Sequence, residues 1–378
     1  MQTTQSKAGK RRLMSLDALR GFDMFWILGG EAIFSGLFVW TGWHGWQWAD
    51  TQMHHSQWHG FTFYDVIFPL FIFLSGVTLG LSPKRLDKQL LYQRIPFYKQ
   101  SIKRLLLLVC FGILYNHGWG TGAPLILDEV RYASVLGRIG FTWFFAAMLV
   151  WHTGLRTQII VTFGILVVYG LAQLFIVVPG YGMGDFSVGG SINAYVDTHF
   201  LPGISYQNRA VDPEGILSTF PAVVNAMIGF FAGCYIVKDH PKGEWFKAMS
   251  MLLVGILALV SGWCLDFAIP VNKDLWTSSF ILVSSGWSII LLAIFYVVID
   301  VLKWQKIAFP FMVIGCNAII IYLLSSLINW QYTATSLFGG VMNAFPSLSH
   351  NLIATFSLLF VQWLLLFLMY QRRVFFKV

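Results

Sequence analysis

The chain has 378 residues, of which 57% are hydrophobic, 17% are aromatic and only 11% are Asp, Glu, Lys or Arg. Soluble domains average about 45–50% apolar and about 25% charged residues. This composition excludes an ordinary soluble enzyme, because too few charged residues are present to cover a water-facing surface, and it excludes a disordered chain. The net charge of +8 is spread in short clusters between apolar runs, which argues against nucleic-acid binding. We therefore predict an all-α, polytopic integral membrane protein.

Ten apolar runs are long enough to be considered as membrane-spanning helices, since the hydrocarbon core takes about 20 residues per helix. The runs lie at about 17–40, 61–82, 103–118, 138–152, 157–179, 215–237, 247–269, 277–301, 308–329 and 351–370. The first run is too long for a signal peptide and is expected to be a retained span. We expect one domain, 1–378, with a polar cytoplasmic N-terminus at 1–12.

The distribution of basic residues predicts the orientation of these spans. Of the 25 Lys and Arg residues, 20 lie in segments on the same side as both termini, which places the termini in the cytoplasm. The segments near 41–60, 119–137, 180–214 and 330–350 are then long outside loops, rich in Trp, Gly, His, Asn and Asp. Their aromatic residues either stack on sugars or form a belt at the lipid headgroups.

Charged residues inside spans are functional candidates, because burying a charge in the bilayer is costly. At the start of the first span, Arg20 is spaced to pair with Asp17 or Asp23 in one helical turn, or to bind an anion on the cytoplasmic side. Glu31 lies further along the same predicted helix, after a Gly-Gly pair, and Asp65 opens the second span.

The densest polar cluster is in the first outside loop, where four Trp residues are interleaved with His44, Asp50, His54, His55 and His59. His55 and His59 would share one face of a helix, and Asp50 could add a carboxylate to a zinc site. No HExxH motif is present and no Cys lies nearby, so we expect no metal. The preferred interpretation is a loop histidine that acts as an acid or base at the mouth of the helix bundle.

Other catalytic motifs are absent from the sequence, which contains no GxSxG elbow, P-loop or Rossmann fingerprint. The four cysteines lie in apolar runs and are predicted to be small buried side chains rather than a disulfide framework or a metal site. Gly229 and Gly233 form a small-xxx-small pattern, which predicts close packing between two helices.

The stretch R-L-M-S-L-D-A-L-R-G at 12–21 resembles the opening of the transmembrane heparan-α-glucosaminide N-acetyltransferase family. Six further stretches resemble the family in the same order along the chain. They lie at 55–62 with 65–69, 135–140, 212–217, 269–276, 315–322 and 370–377. Together they extend from about residue 12 to the end of the sequence, which makes the family resemblance more specific than any single stretch.

The resemblance implies an acyltransferase that moves an acetyl group from cytoplasmic acetyl-CoA to the amine of a glucosamine at the other membrane face. The family's active-site histidine precedes a Trp by three positions, and here that residue is His55, before Trp58. Asp65 and Glu31 are the further catalytic candidates. Where the mammalian enzyme carries an Asn-Tyr-Gly-Gly stretch late in its first span, this chain departs from the family and reads Gly29-Gly30-Glu31, so that a carboxylate could replace the amide. Histidine could deprotonate the sugar amine or accept the acetyl group itself, and both routes stay open.

The family's acetyl donor carries phosphates that need cationic contacts on the cytoplasmic side. Arg20, Lys103 and Arg104 are the candidates for these contacts, with the pantetheine arm threading the bundle towards His55. Arg138 could hold an anion of the donor or acceptor, or pair with Asp128 or Glu129 of the preceding loop. Asn317 could donate a hydrogen bond to the donor's amide arm or form an interhelical bond.

The candidates for acceptor binding lie on the predicted outer face and are Trp58, His59, Asp212, Glu214, Asn272 and Lys273. For Asp212 and Glu214 the structural alternative is capping of the next helix. The expected partners are an amino sugar and the lipid bilayer of a bacterial inner membrane, and a homodimer is considered. The alternative function is an N-acetylglucosamine transporter of the same ancestry, which would need a polar site near the bilayer midplane.

Overall fold

The structure is a computed structural model that describes residues 13–118 and 124–376. The predicted polar N-terminus at 1–12 and Lys377 of the last basic cluster lie outside the described residues.

The described part of the chain is helical, which confirms the all-α prediction. The helices are α1 (Met14–Phe25), α2 (Ala32–Thr41), α3 (His44–Gln52), α4 (Ile67–Gly80), α5 (Leu91–His117), α6 (Val135–His152), α7 (Leu155–Phe175), α8 (Ile192–Phe200), α9 (Ile216–Val237), α10 (Gly243–Asp266), α11 (Ser278–Phe295), α12 (Gln305–Cys316), α13 (Ala318–Leu327), α14 (Trp330–Asn343) and α15 (His350–Gln371). Two π-helical turns extend α1 and α11, at Trp26–Gly30 and Tyr296–Val301. No β-strand occurs within 13–118 or 124–376, where one isolated antiparallel bridge joins Arg131 to Gly203.

Among the described residues, seven helices are long and apolar enough to cross a membrane, or up to nine if two bent helix pairs each count as one span. The seven are Phe63–Gly80, Val135–His152, Leu155–Phe175, Ile216–Val237, Gly243–Asp266, Ser278–Val301 and Ser347–Gln371. The predicted span at 103–118 falls in α5, which is not among them. With 27 residues, α5 measures about 40 Å and is long enough to cross a bilayer. Its first half, however, carries four Lys and Arg residues, which makes it too polar to count as a span. The predicted number of ten is therefore not confirmed, and the side of each terminus stays a prediction.

Each bent pair breaks at a polar residue. The first pair, Met14–Gly30 and Ala32–Thr41, bends by 53° beside Glu31. The backbone there passes through Gly29, whose φ of 119° is accessible to glycine at little cost. The second pair, α12 and α13, bends by 63° at Asn317. The bends leave backbone groups outside the regular helical hydrogen-bond ladder, which is tolerated in a membrane protein where other protein groups can satisfy them.

Helices α4 and α9 pack with their backbones in close approach. A Cβ atom on Gly229 would lie 2.0 Å from the carbonyl oxygen of Phe73, and one on Gly233 would lie 2.4 Å from that of Val77. The predicted small-residue contact is therefore confirmed. This packing positions the site, because α4 begins just after Asp65 and α9 begins just after residues 212–215.

Three of the segments predicted to be irregular loops contain the helices α3, α8 and α14. These helices have 9, 9 and 14 residues, too short for the apolar periodicity of a span. Local caps begin two of them: Ser191 accepts a hydrogen bond from the backbone of Ala194, and Asn329 accepts one from that of Tyr332.

The prediction that all four cysteines are buried is wrong for two of them. Cys110 and Cys264 are exposed, whereas Cys234 and Cys316 are partly buried. Large apolar side chains are exposed on the same helices, including Leu106 on α5 and Leu257 on α10. Such apolar outer faces are expected where helices meet lipid rather than water.

Candidate active site

A buried carboxylate holds the imidazole of His55. Asp65 lies in the 3₁₀ turn Phe63–Val66, which leads into α4, and is fully buried. Its Oδ2 accepts hydrogen bonds from the backbone N–H of Thr62 at 3.0 Å, from the hydroxyl of Thr62 at 3.1 Å and from the backbone N–H of Ser56 at 3.3 Å. The other oxygen, Oδ1, lies 2.8 Å from Nδ1 of His55. Because the carboxylate is an acceptor, Nδ1 carries the shared proton, and in the neutral imidazole this tautomer leaves the lone pair on Nε2.

The segment 53–62, which carries His55 and His59, is irregular. The prediction that these two histidines share one face of a helix is therefore wrong. The backbone of Ser56 and that of Thr62 both donate to Asp65, which closes the intervening residues into a loop. Within this loop His59 turns towards Asn272, with its Nδ1 3.4 Å from the amide nitrogen. Burial lowers the pKa of His59, while the nearby Asp266 carboxylate opposes that effect.

Lys273 contacts the same imidazole from the other side. Its Nζ lies 2.9 Å from Nε2 of His55 and 3.1 Å from Nδ1. Burial is the largest influence on this ammonium and lowers the pKa of Lys273, although the carboxylates of Asp65, Glu214 and Asp274 act in the opposite direction. The residue predicted to bind the acceptor is thus in direct contact with the predicted catalytic histidine.

Two other predicted acceptor residues hold the backbone of this site. Asn272 is fully buried; its amide nitrogen donates to the carbonyl of Trp58 at 2.8 Å, and its Oδ1 accepts from the backbone N–H of Leu275 at 2.8 Å. The indole N–H of Trp58 donates to the carbonyl of Phe186 at 2.9 Å. These polar groups bind protein, so Asn272 and Trp58 join the histidine loop to the loop that carries Lys273.

Arg131 organises the predicted acidic candidates. It binds Asp212 with two hydrogen bonds, of 2.9 Å from Nε and 2.6 Å from Nη2, and also donates to Glu214. Its guanidinium lies 4.8 Å from the ring centroid of Tyr206. Burial alone would raise the pKa of Asp212, but the hydrogen bonds and the positive charge of Arg131 hold it below the ordinary value. Sequence reasoning missed this residue, because the pairing joins segments 81 positions apart in the chain.

Asp197 of α8 caps the start of α9, the role that the sequence offered to Asp212 and Glu214. Its Oδ1 accepts from the backbone N–H of Ile216 at 3.0 Å and its Oδ2 from that of Asp212 at 3.2 Å. Burial raises the pKa of Asp197 to about 6, against the lowering effect of these two hydrogen bonds. The cap comes from a different helix, so no local sequence signal indicated it.

A cavity of 640 Å³ extends from His55 into the bundle, and we name it the His55 cavity. The side chain of His55 is 46% exposed, so the cavity is accessible at this end. Its charged lining consists of Arg131, Arg209, Glu214, Lys273 and Asp274, together with His55. Arg209 lies 3.8 Å from Asp274. The rest of the lining is largely apolar and aromatic and includes Phe68, Phe71 and Tyr322. Such a lining favours a thioester over water molecules as the occupant of the cavity.

Two more cavities continue from this one. The Arg20 cavity, of 650 Å³, shares Phe71 with the His55 cavity, and the Lys103 cavity, of 440 Å³, shares Thr78 with the Arg20 cavity. Phe71 and Thr78 lie seven residues apart, and so on nearly the same face of α4. From Phe68, which lines the His55 cavity, to Thr78 the helix rises about 15 Å. The three cavities therefore follow one face of a predicted span from end to end.

The predicted donor cations gather at the end of this row that is remote from His55. Arg20 lines the Arg20 cavity and lies 3.6 Å from Asp17, one of the two predicted pairings. Lys103 and Lys84 line the Lys103 cavity, and Arg104 lines both cavities. The guanidinium of Arg104 lies 4.1 Å from the ring centroid of Trp143.

Arg138 binds the start of α9 and lines none of the three cavities. It is 2% exposed and donates to the hydroxyl of Ser218 at 2.5 Å and to that of Thr219 at 3.2 Å. Its guanidinium also lies 4.7 Å from the ring centroid of Trp276. Among the described residues Arg138 forms no ion pair with Asp128 or Glu129, the structural alternative considered from the sequence, and its hydrogen bonds go to the start of α9.

Asn317, a candidate for contact with the donor's amide arm, binds the segment that follows α15. Its amide nitrogen donates to the carbonyl of Val374 at 3.0 Å, and its Oδ1 accepts from the backbone N–H of Phe376 at 2.9 Å. Asn317 is 1% exposed, whereas the side chain of Phe376 lines the Arg20 cavity. Its connection to that cavity therefore runs through the segment 372–376.

Glu31 is partly buried at the bend of the first span and does not line the His55 cavity. Its predicted catalytic role stays a prediction. His54 places its Nδ1 2.8 Å from the backbone carbonyl of Asp50. The described residues contain no group of three or more His, Cys, Asp and Glu side chains that could hold a metal ion.

No protein-family model matches the chain. Two curated relatives are similar to most of it. Mouse heparan-alpha-glucosaminide N-acetyltransferase is 26% identical over 378 aligned positions, which cover 86% of this chain and 56% of the relative. The human protein of the same name is 26% identical over 421 positions, which cover 97% of this chain and 60% of the relative. This weak but broad similarity, which covers most of the chain, supports the resemblance to the heparan-alpha-glucosaminide N-acetyltransferase family.

The chain spans less than two thirds of the length of these relatives. The family resemblance nevertheless covers the segments that build the site. Residues 55–69, 212–217 and 269–276 supply the histidine, the acidic pair and Lys273, and they meet around one cavity. The residues that sequence reasoning did not single out are Arg131, Asp197, Tyr206, Arg209 and Asp274.

Proposed function

We propose that the chain is a membrane-embedded N-acetyltransferase that transfers the acetyl group of acetyl-CoA to the amine of a glucosamine-type sugar at His55. The observation that carries this proposal is the row of three cavities along α4. The basic residues that line the two cavities remote from His55 suit the phosphates of the donor, and the apolar part of the His55 cavity suits its thin pantetheine arm. The His–Asp pair lies where the thioester would arrive.

The proposed chemistry uses Nε2 of His55. With Nδ1–H donating to Asp65, Nε2 can take the proton from the attacking sugar amine and return it to the CoA thiolate. In the two-step route Nε2 instead attacks the thioester carbonyl and CoA leaves as the thiolate; the sugar amine then takes the acetyl group from the imidazole, and the proton that the amine loses balances the charge of the thiolate. In both routes the C–S bond breaks, an N–C bond forms and Asp65 stabilises the imidazolium or its acylated form.

The same arrangement supports the proposed sidedness. The basic residues Arg20, Lys103 and Arg104 lie at one end of the span Phe63–Gly80 and His55 lies at the other. If the basic end is cytoplasmic, as the charge distribution predicts, the acceptor sugar binds on the opposite face. We propose a bacterial inner membrane as the location, an inference from the apolar composition of the chain and the predicted orientation of its spans.

The alternative, an N-acetylglucosamine transporter, is favoured by the same row of cavities, because a transporter also needs a path through the bundle. The lining argues for the enzyme: a buried Asp–His pair has no evident use in moving a neutral sugar. Counterflow of N-acetylglucosamine in proteoliposomes without acetyl-CoA would support the transporter.

The test is thiol release from acetyl-CoA by detergent-purified protein, with and without glucosamine. We expect glucosamine-dependent release in the wild type and a loss of about 10²–10⁴-fold in His55→Gln. His54→Gln is the matched control, because His54 lies in the same loop but contacts a backbone carbonyl and lines none of the cavities. Folded wild-type protein that releases no thiol with any amino sugar would contradict the proposal.

A further inference from the structure

The ammonium of Lys273 occupies the space next to the reactive atom of the proposed site. Its Nζ lies 2.9 Å from Nε2 of His55, the hydrogen-bonding distance that an acceptor amine would need for its proton to be removed. Both residues line the His55 cavity. A sugar amine and the Lys273 amine therefore compete for one position.

The position of Lys273 is imposed by the backbone on each side of it. The backbone N–H of Gly60, in the histidine loop, donates to the carbonyl of Val271 at 2.9 Å. Asn272 then binds both the carbonyl of Trp58 and the backbone of Leu275. These bonds hold the backbone at Lys273 beside the loop that carries His55.

The charges around Lys273 come from several elements. Asp65 precedes α4, Glu214 precedes α9, and Asp274 is the next residue of the same loop; Arg138 of α6 supplies a nearby positive charge. Burial, the largest of these influences, favours the neutral amine over the ammonium. A neutral lysine amine is a nucleophile, and holding it beside an acyl donor raises its effective concentration strongly.

We propose that Lys273 marks the position of the acceptor amine and that, when donor is bound and acceptor is absent, the enzyme acetylates Lys273 itself. This inference rests on the proposed acetyltransferase function. The Lys273 amine attacks the acetyl carbonyl, directly or on acetylated His55, so that an N–C bond forms and the C–S bond of the donor breaks. The amine proton passes through Nε2 of His55 to the thiolate, and the products are acetyl-lysine and CoA with a free thiol.

Acetylation would remove the positive charge at the mouth of the catalytic pair and fill part of the cavity with an amide. An acceptor sugar that occupies the position should protect Lys273, because it displaces the lysine and consumes the donor. The modification would therefore record how often the site is loaded with donor but empty of acceptor.

The experiment incubates purified wild-type protein with acetyl-CoA, with and without glucosamine, and measures acetylation of individual lysines by peptide mass spectrometry alongside thiol release. Exposed Lys303, remote from the cavities, reports the non-enzymatic background in the same sample. We expect Lys273 to be acetylated at least about 10-fold above Lys303, with this excess lost in His55→Gln and suppressed by glucosamine. Lys273→Arg, which keeps the charge but offers no acceptor amine, should lose the glucosamine-independent equivalent of released thiol.

The outcomes separate this inference from the proposed function. Glucosamine-dependent thiol release with Lys273 acetylated no more than Lys303 overturns the inference and leaves the acetyltransferase standing. Acetylation of Lys273 that is independent of His55 also overturns it, because the reaction is then only chemical. His55-dependent acetylation without any glucosamine-dependent release supports the inference and shows that the acceptor was wrongly assigned. Neither reaction in folded protein overturns both.

Discussion

Nδ1 of His55 lies 2.8 Å from Oδ1 of Asp65, while the second oxygen of that carboxylate accepts three hydrogen bonds from Ser56 and Thr62. The hydrogen bonds to Oδ2 thus hold the carboxylate independently of its bond to the imidazole, which it orients through Oδ1. Because it is also part of the capping box at the start of α4, the geometry of the proposed catalytic pair is tied to the start of a predicted span.

Replacing Asp65 by Asn tests this relationship. The amide can donate as well as accept, so it no longer favours the tautomer with the proton on Nδ1, and it stabilises an imidazolium less. We expect glucosamine-dependent thiol release to fall by about 10²–10⁴-fold, with stability reduced by about 1–3 kcal/mol. Asp50→Asn, in the preceding helix α3, is the control, and activity within a factor of a few of wild type in Asp65→Asn would contradict the assignment.

Arg104 is expected to act on donor binding alone. It lines both cavities at the basic end of the row, and a lost charge-assisted hydrogen bond to a phosphate costs about 1.5–3 kcal/mol. Arg104→Gln should therefore raise the KM for acetyl-CoA by about 10-fold or more with little change in kcat. The KM for acetyl-pantetheine, which lacks the nucleotide, should not respond. An equal effect on both donors would mean that Arg104 does not bind the phosphates; exposed Lys306→Gln is the matched control.

The continuity of the cavities can be tested at Ile319, which lines both the His55 and the Arg20 cavity. Ile319→Trp should fill the connection and lower kcat/KM for acetyl-CoA by at least about 10-fold, because the donor arm no longer reaches His55. The neighbouring Ile320 lines none of the three cavities, so Ile320→Trp controls for the added bulk, which by itself costs about 1–3 kcal/mol in a packed site. Wild-type kinetics in a monodisperse Ile319→Trp protein would exclude this path.

Asp197 predicts a pH dependence of stability. Burial raises its pKa from 3.8 to about 6, so the folded protein favours the protonated carboxyl. The contribution to stability is present below about pH 4 and is lost as the pH rises towards 6. Asp197→Asn resembles the protonated form, and at pH 7 it should be more stable than the wild type by up to about 3 kcal/mol.

Thermal unfolding of the Asp197→Asn variant in detergent at pH 4 and at pH 7 measures this difference. The gain in Tm should be largest at pH 7 and should disappear towards pH 4. The exposed Asp128→Asn variant should show neither effect. A gain that is the same at both pH values would mean that the ionisation of Asp197 is not its cause.

Much of the site was predictable where the information is local. The His55–Trp58 spacing, the Asp17–Arg20 pairing and the Gly229–Gly233 contact all depend on residues within one turn or one short motif. The cap of α9 by Asp197 and the bond of Asn317 to the segment 372–376 were not predictable, because each joins elements that are far apart in the chain. The predicted number of ten spans is not confirmed, because α5, which contains the run 103–118, has a basic first half and is not among the helices apolar enough to cross a membrane.

By itself, the sequence determined the membrane class, the helical architecture and the family resemblance, because hydropathy, charge distribution and ordered motifs are properties of the chain alone. It also singled out His55. Only the tertiary structure decided what each candidate contacts. It brought Lys273 into contact with His55, paired Asp212 with Arg131 and bound Asn272 to the backbone of Trp58. It also aligned three cavities along α4. The physical reason is that a buried polar group must find a partner, and whether that partner is protein or ligand depends on which distant segments the packing of the helices brings within about 3 Å.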